Sequence, residues 1–317
     1  MATYGQTLPV AKHKDAYSDG GYVSASVYDY APIARQITGK ATTNYDKAKA
    51  IYLWLCDNIA YDPSGEIRTA DACWNERKGV CQGYCELFYR MAESVGVKAK
   101  LVYGNCKSQA TPQQTEKHVW LSVKTERGEL LMDPTWGAGQ LINGKFRKLP
   151  NPLIWFDTDP AWFAFTHMPQ HTKHQHLAQP LSQQDFTLLP YISPLAARLG
   201  LTPDDAQRKA LGEGLTFVVM PLMNADFLQK IRLLNVPLEH SLKAGSAYTF
   251  QIEKVEECCT LSIENELGAY DEQDWSRQGQ TYTLTLSPKW KGKLCVKVTT
   301  ENPLFTSKKA VLEYVVE

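Results

Sequence analysis

The sequence predicts an α+β fold in which a cysteine-bearing helix packs against an antiparallel sheet, followed by an all-β sandwich. Three observations carry this. From Lys78 to Phe88 a glycine-bearing turn runs into a helical pattern. Cys81, Cys85, Phe88, Ala92 and Val95 then repeat at the spacing of one helix face. The stretches beginning at His118 and Glu129 read as strands and are separated by the short turn Glu126-Arg127-Gly128. From Leu215 onward the texture is all β.

In chain order, the parts are an N-terminal arm (1–40), a core (41–150), an aromatic and histidine-rich extension with a linker (151–212), and the β-sandwich (213–317). A length of 317 residues suits two domains, and a hydrophobic content of 44% suffices for buried cores. Thr43–Ile59 reads as the first helix. Thr43 or Asn44 caps it, Asp46 sits in its first turn, and Ala48, Ile51, Tyr52, Leu55 and Ile59 form its apolar stripe. Asp62-Pro63 follows its end, because a residue before proline avoids helical dihedrals. Thr69–Lys78 reads as a helix and turn leading to Cys81. Gly96 fits just past the end of the Cys81 helix. Val97–Tyr103 alternates as a half-buried strand that Gly104 ends, and a polar loop runs to Lys117. A hairpin then sets His118 and Asp133 side by side.

Cys81 stands at a helix start, where unpaired backbone N–H groups and the positive end of the helix dipole favour a thiolate. His118 opens one strand and Asp133 closes the next. Singly, each has a plain reading: a small core residue, a satisfied buried histidine, a turn former before Pro134. Together and in this order they supply nucleophile, general base and orienting carboxylate. Cys85, one turn on, reads as a small core residue. A resolving thiol for an oxidised Cys81, or a zinc ligand with Cys81 and His118, are its alternatives.

Gly79-Val80-Cys81-x-Gly83-Tyr84, His118-x-Trp120 and Asp133-Pro134-Thr135-Trp136-Gly137 resemble the transglutaminase-like superfamily of papain-related cysteine enzymes, and within it the kyphoscoliosis-peptidase branch. The resemblance covers about 41–140 well and extends loosely to about 190. It implies a papain- or transglutaminase-like core with Cys81 as nucleophile, His118 as base and Asp133 as orienter. It implies no cofactor and no metal. Asn75, six residues before Cys81, or Trp74 would help bind an oxyanion, and Tyr84, Trp120 and Trp136 would line the cleft. The order Asp159-Pro160, His167-Met168-Pro169 and Phe186 resembles an extension of that branch that packs beside the catalytic core.

His167, His171, His174 and His176 could bind a transition metal, although polar loops collect histidines without one. Pro203–Glu213 reads as a short charged helix and linker. Strands are expected at 216–220, 247–252, 260–263, 281–286, 294–298 and 311–315, an immunoglobulin-like sandwich serving packing, spacing or partner binding. With 34 basic and 34 acidic residues there is no net charge to recommend a nucleic-acid or anionic-membrane partner. No apolar run approaches the ~18–20 residues of a membrane span. The eight cysteines show no disulfide framework, and the adjacent Cys258 and Cys259 would point to opposite faces of a strand. With no signal-peptide pattern, a cytoplasmic location is expected at face value, and an extracytoplasmic one if the N-terminus is trimmed. The expected reaction is acyl transfer from a carboxamide or peptide bond through a thioester, to water or to an amine. A catalytically silent protein-binding scaffold and an acyl-CoA-dependent N-acyltransferase are the alternatives.

Overall fold

The chain folds as two units, Met1–Gln183 and Gln184–Glu317. This computed structural model describes residues 8–14, 16–18, 21–108, 114–142, 144–149, 151–199, 202–212, 222–223, 230–237, 239–255, 259–301 and 306–317.

In the first unit the helices are α1 (Ala31–Thr38), α2 (Asn44–Asn58), α3 (Ala70–Glu76) and α4 (Cys81–Ser94), with a five-residue helix α5 (Pro134–Ala138). Thr43 caps α2 by accepting the Asp46 N–H, and Thr69 caps α3 by accepting that of Ala72. Gly96 follows α4 with φ +80°, the left-handed position that glycine tolerates. Leu87, Phe88 and Met91 of α4 are wholly buried. Such side chains contribute roughly 1.5–3 kcal/mol each.

Against α4 lies a five-stranded antiparallel sheet in the order Phe156–Thr158, Gly128–Met132, Glu116–Thr125, Lys98–Cys106, His167–Pro169. The Glu116–Thr125 strand is buried on both faces. Val119, Leu121 and Val123 join the helices in the main core, while Trp120 turns to a second cluster with Val102, Leu131, Trp155 and Phe163.

One expectation changes here. The strand of Val97–Tyr103 does not end at Gly104 but continues to Cys106. Gly104 allows close approach instead: a Cβ there would overlap the Met168 carbonyl and the Trp120 ring. The extension from 151 packs beside the core by supplying both edge strands of the sheet. The N-terminal arm is also structured, through α1 and a short antiparallel pairing of Val10–His13 with Ser26–Tyr28. It is tied to the helices by buried Glu86, which accepts from Ser24 N (3.1 Å), Ser24 Oγ (3.0 Å), Gln82 Nε2 (2.7 Å) and Ala70 N (3.2 Å).

The second unit carries two sheets. One runs Leu222–Met223, Thr306–Val316, Gly292–Glu301, Cys259–Glu264, Ala269–Asp271, with Ser241–Leu242 also paired to Thr306–Val316. The other runs Ile231–Asn235, Tyr248–Lys254, Thr281–Leu286, Ser276–Gln278. Phe250 of the second meets Tyr314 of the first edge-on at 5.7 Å between ring centroids. The charged helix forms at Pro203–Gly212. The strand expected at 216–220, and Cys258 of the adjacent cysteine pair, lie outside the described residues.

Candidate active site

Cys81 is the first residue of α4, and the residues before it fix where the helix begins. The Asp62 carboxylate gathers Ser64 N (3.1 Å), Glu66 N (3.1 Å) and Ile67 N (3.0 Å), folding the loop so that the Ile67 carbonyl accepts Val80 N at 3.0 Å. Gly79 and Gly83 pack onto this corner. A Cβ at Gly79 would come 2.9 Å from Cys73 Sγ, and one at Gly83 would come 3.0 Å from the Ile67 carbonyl. The Tyr84 hydroxyl donates to the Ile59 carbonyl at 2.7 Å. The Gly-Val-Cys-x-Gly-Tyr motif is therefore the packing that seats the helix start.

Asp133 divides its two oxygens. Oδ1 caps α5, accepting Thr135 N (2.8 Å) and Trp136 N (3.1 Å). Oδ2 lies 2.7 Å from His118 Nε2 and 3.2 Å from His167 Nε2. In the hairpin Leu121 pairs with Met132, so His118 is not directly opposite Asp133 but reaches across from further along its strand. A carboxylate only accepts, so His118 carries hydrogen on Nε2. The His118 side chain and the Val119 backbone N–H both favour the charged form of the Cys81 thiol.

The electrostatics follow from these contacts. Burial disfavours the Asp133 charge, but the charge and hydrogen bond of His118, with His167, hold the carboxyl well below the usual carboxylate range. Burial likewise opposes a charged His118, yet the neighbouring Asp133 charge outweighs it, and the thiols of Cys106 and Cys81 add to the effect. The His118 pKa lies well above the usual histidine value. For Cys81, burial pushes the thiol up, but the His118 hydrogen bond and charge and the Val119 N–H bring it below the usual thiol value. Cys85 goes the other way: it is fully buried, donates to the Val119 carbonyl at 3.5 Å, and burial raises its thiol far above the ordinary range.

The other expected site residues scatter. Trp74 is in the core, stacked on Trp54 at 5.6 Å with Arg77 over its ring at 3.8 Å. Asn75 is exposed, and its amide donates to Tyr28 Oη at 3.2 Å. Tyr84 and Trp120 are wholly buried and line no cleft, because one anchors α4 and the other fills the aromatic cluster. Trp136 is half-buried, its ring 5.5 Å from His118. Of the histidine series, His167 reaches the site, while His171 and His174 neighbour each other at 6.4 Å and His176 meets Glu129 at 3.7 Å. The sequence reading missed two neighbours. His167 arrives from an edge strand 34 residues beyond Asp133. Tyr61 pairs with Gly79 in a short parallel ladder; burial raises its phenol, and the charges of Cys81 and His118 reach it.

His118, Asp133 and His167 bring donor atoms within 4.8 Å of one another, a set of types that a divalent metal accepts. Their N···O distances of 2.7 and 3.2 Å are those of hydrogen bonds, and each ring N–H has the carboxylate as its acceptor. The trio is a hydrogen-bonded relay.

Comparison with known proteins finds similarity over this part of the chain. The model of the transglutaminase-like superfamily matches residues 31–134. Kyphoscoliosis peptidase of Homo sapiens is 32% identical over 167 residues, 46% of this chain and 24% of that protein. The same-named protein of Mus musculus is 31% identical over 167 residues. Hillarin of Drosophila melanogaster is 24% identical over 193 residues, 54% of this chain and 24% of that one. The match thus spans about a quarter of each relative. Among solved structures, red sea bream transglutaminase aligns over 96% of this chain and 61% of its own, at 8% identity and a TM-score of 0.32, too low to argue from. The cysteine helix, the histidine strand and the Asp-Pro-Thr-Trp turn lie inside or border the matched stretch, so residues 31–134 match the transglutaminase-like superfamily, and the chain is similar there to the kyphoscoliosis peptidases.

Proposed function

We propose that this chain is a cysteine-dependent acyl-transfer enzyme acting on carboxamide or peptide bonds. The observation that supports this most is the 2.7 Å pairing of His118 with Asp133, with the Cys81 thiol pKa lowered by His118 and the imidazole pKa raised. In this reading His118 takes the Cys81 proton and the thiolate attacks the carbonyl carbon. The backbone N–H of Cys81 is one donor available to the oxyanion. The tetrahedral intermediate collapses as His118 protonates the departing amine, leaving a thioester on Cys81. Water, or an amine, then attacks the thioester with His118 again accepting the proton, and the thiol returns. The human and mouse relatives named as peptidases favour water as the acceptor.

The reading is tested with peptide amides, with and without an amine acceptor, on wild type and Cys81→Ala. Turnover is expected in wild type and lost in Cys81→Ala, with melting temperature little changed. A Cys81→Ala variant as active as wild type removes the nucleophile from the scheme. A second reading, a silent protein-binding scaffold, draws on Trp74 and Asn75 being engaged elsewhere, one stacked on Trp54 and the other donating to Tyr28. It expects no turnover in either protein. We read the two facing sheets of Gln184–Glu317 as an immunoglobulin-like sandwich that serves as a partner-binding or spacing module.

A further inference from the structure

The relay does not end at the carboxylate. The geometry points to His167 as a positioning residue: a neutral histidine whose Nε2–H shares Asp133 Oδ2 with His118 and so limits how tightly that oxygen holds the His118 proton. This deepens the proposed acyl-transfer reading and rests on it.

The tautomer is set by what surrounds the ring. Nε2 lies 3.2 Å from a carboxylate that only accepts, so Nε2 carries the hydrogen. Nδ1 lies 2.8 Å from Thr166 Oγ1, a hydroxyl that can give it a hydrogen. The ring is held flat on Phe163, at 3.9 Å between centroids and 14° between planes, with Trp136 at 4.5 Å and Trp120 at 5.0 Å. It is 1% exposed and has aromatic faces on three sides. Burial first, and then the nearby His118 charge, lower its pKa to about 4 despite Asp133, so it stands neutral where His118 is protonated. Gly104 lets its strand lie close to the sheet, and the pairing His167↔Cys106 sets its place along the edge.

The consequence is electrostatic. Two N–H groups converge on one oxygen. The second draws on the negative charge that would otherwise be spent wholly on the His118 imidazolium. The other titratable groups near His118 are Cys81 on α4, Cys106 on the neighbouring strand, and Asp133. Tyr61 is also in range, as its own phenol responds to His118. None of these offers Oδ2 a competing hydrogen bond among those described. His167 therefore has a role that packing alone would not give it.

The test needs no substrate. The rate of iodoacetamide alkylation at Cys81, read by peptide mass spectrometry across pH, is compared in the full-length wild type, His167→Phe and His167→Gln. Melting temperature is measured alongside. Phenylalanine keeps the ring stack and removes the N–H; glutamine can return a donor near the Nε2 position. In His167→Phe the upper limb, where the His118 imidazolium loses its proton, is expected to rise by roughly one pH unit, and in His167→Gln to stay near wild type. If His167→Phe leaves that limb in place, or if glutamine moves it as far as phenylalanine does, the inference is overturned while the enzymatic reading stands. A wild-type Cys81 that alkylates like an ordinary thiol overturns both.

Discussion

At Asp133 one side chain serves two needs. Oδ1 caps a helix and Oδ2 orders two histidines, so the plain reading of this residue as a turn former before Pro134 and its role as orienter are both met. Asp133→Asn keeps the shape but replaces an acceptor pair with one acceptor and one donor, which cannot accept from the two ring N–H groups and from the α5 cap N–H groups at once. Turnover in steady-state kinetics is expected to fall by on the order of 10²–10⁴, the scale known for such a change in serine-protease triads. His167 gives a second expectation at this scale. Its pKa lies below the ordinary histidine value, so the unfolded chain protonates there first as pH falls. The stability it costs appears below about pH 6.5 and is complete near pH 4, amounting to roughly 3 kcal/mol. The raised His118 works in the opposite sense: its contribution is whole below about pH 6.5 and is lost only as pH rises through its folded value. Thermal melts from pH 7 to 4 should therefore show a smaller acid loss in His167→Gln than in wild type. Equal losses would contradict a buried neutral His167.

At the scale of elements, helix starts were legible because their signals are local. Thr43, Thr69 and Gly96 do what side-chain capping and left-handed glycine chemistry require, and the cysteine helix begins at Cys81 as its pattern indicates. Edge pairing was not legible. Nothing adjacent to His167 in sequence says that its strand returns to lie beside Lys98–Cys106, and Gly104 reads alone as a strand end. The close approach it permits is a tertiary fact. Gly104→Ala is thus expected to destabilise the chain by about 1–3 kcal/mol in denaturant unfolding, since the Met168 backbone must move. It should also shift the Cys81 alkylation profile by loosening the strand that carries His167. An unchanged profile and melt would show that the edge tolerates a methyl group. The oxyanion donors were illegible for a related reason: an offset of six residues before the nucleophile does not fix which way Asn75 turns once Arg77 adopts a left-handed φ of 53° and α3 ends.

At the scale of the whole molecule, the division of labour is sharp. Every member of the relay, from Cys81 to His167, lies in Met1–Gln183, and the second unit consists largely of two sheets whose strands were visible as alternating β-branched and aromatic runs. The missed strands there, such as Ala269–Asp271 and Ser276–Gln278, are only three residues long and exposed, so they carry no apolar alternation to read. A chain ending after Gln183 is accordingly expected to keep the Cys81 alkylation profile of the full chain. Loss of that profile would mean that the second unit shapes the site. At the centre of the site, α4 and the hairpin together favour the thiolate of Cys81. The most direct measurement is the ultraviolet thiolate absorbance of full-length wild type minus that of Cys81→Ser, followed across pH. The difference is expected to titrate below the ordinary thiol value of about 8.5; a midpoint at or above that value would contradict it.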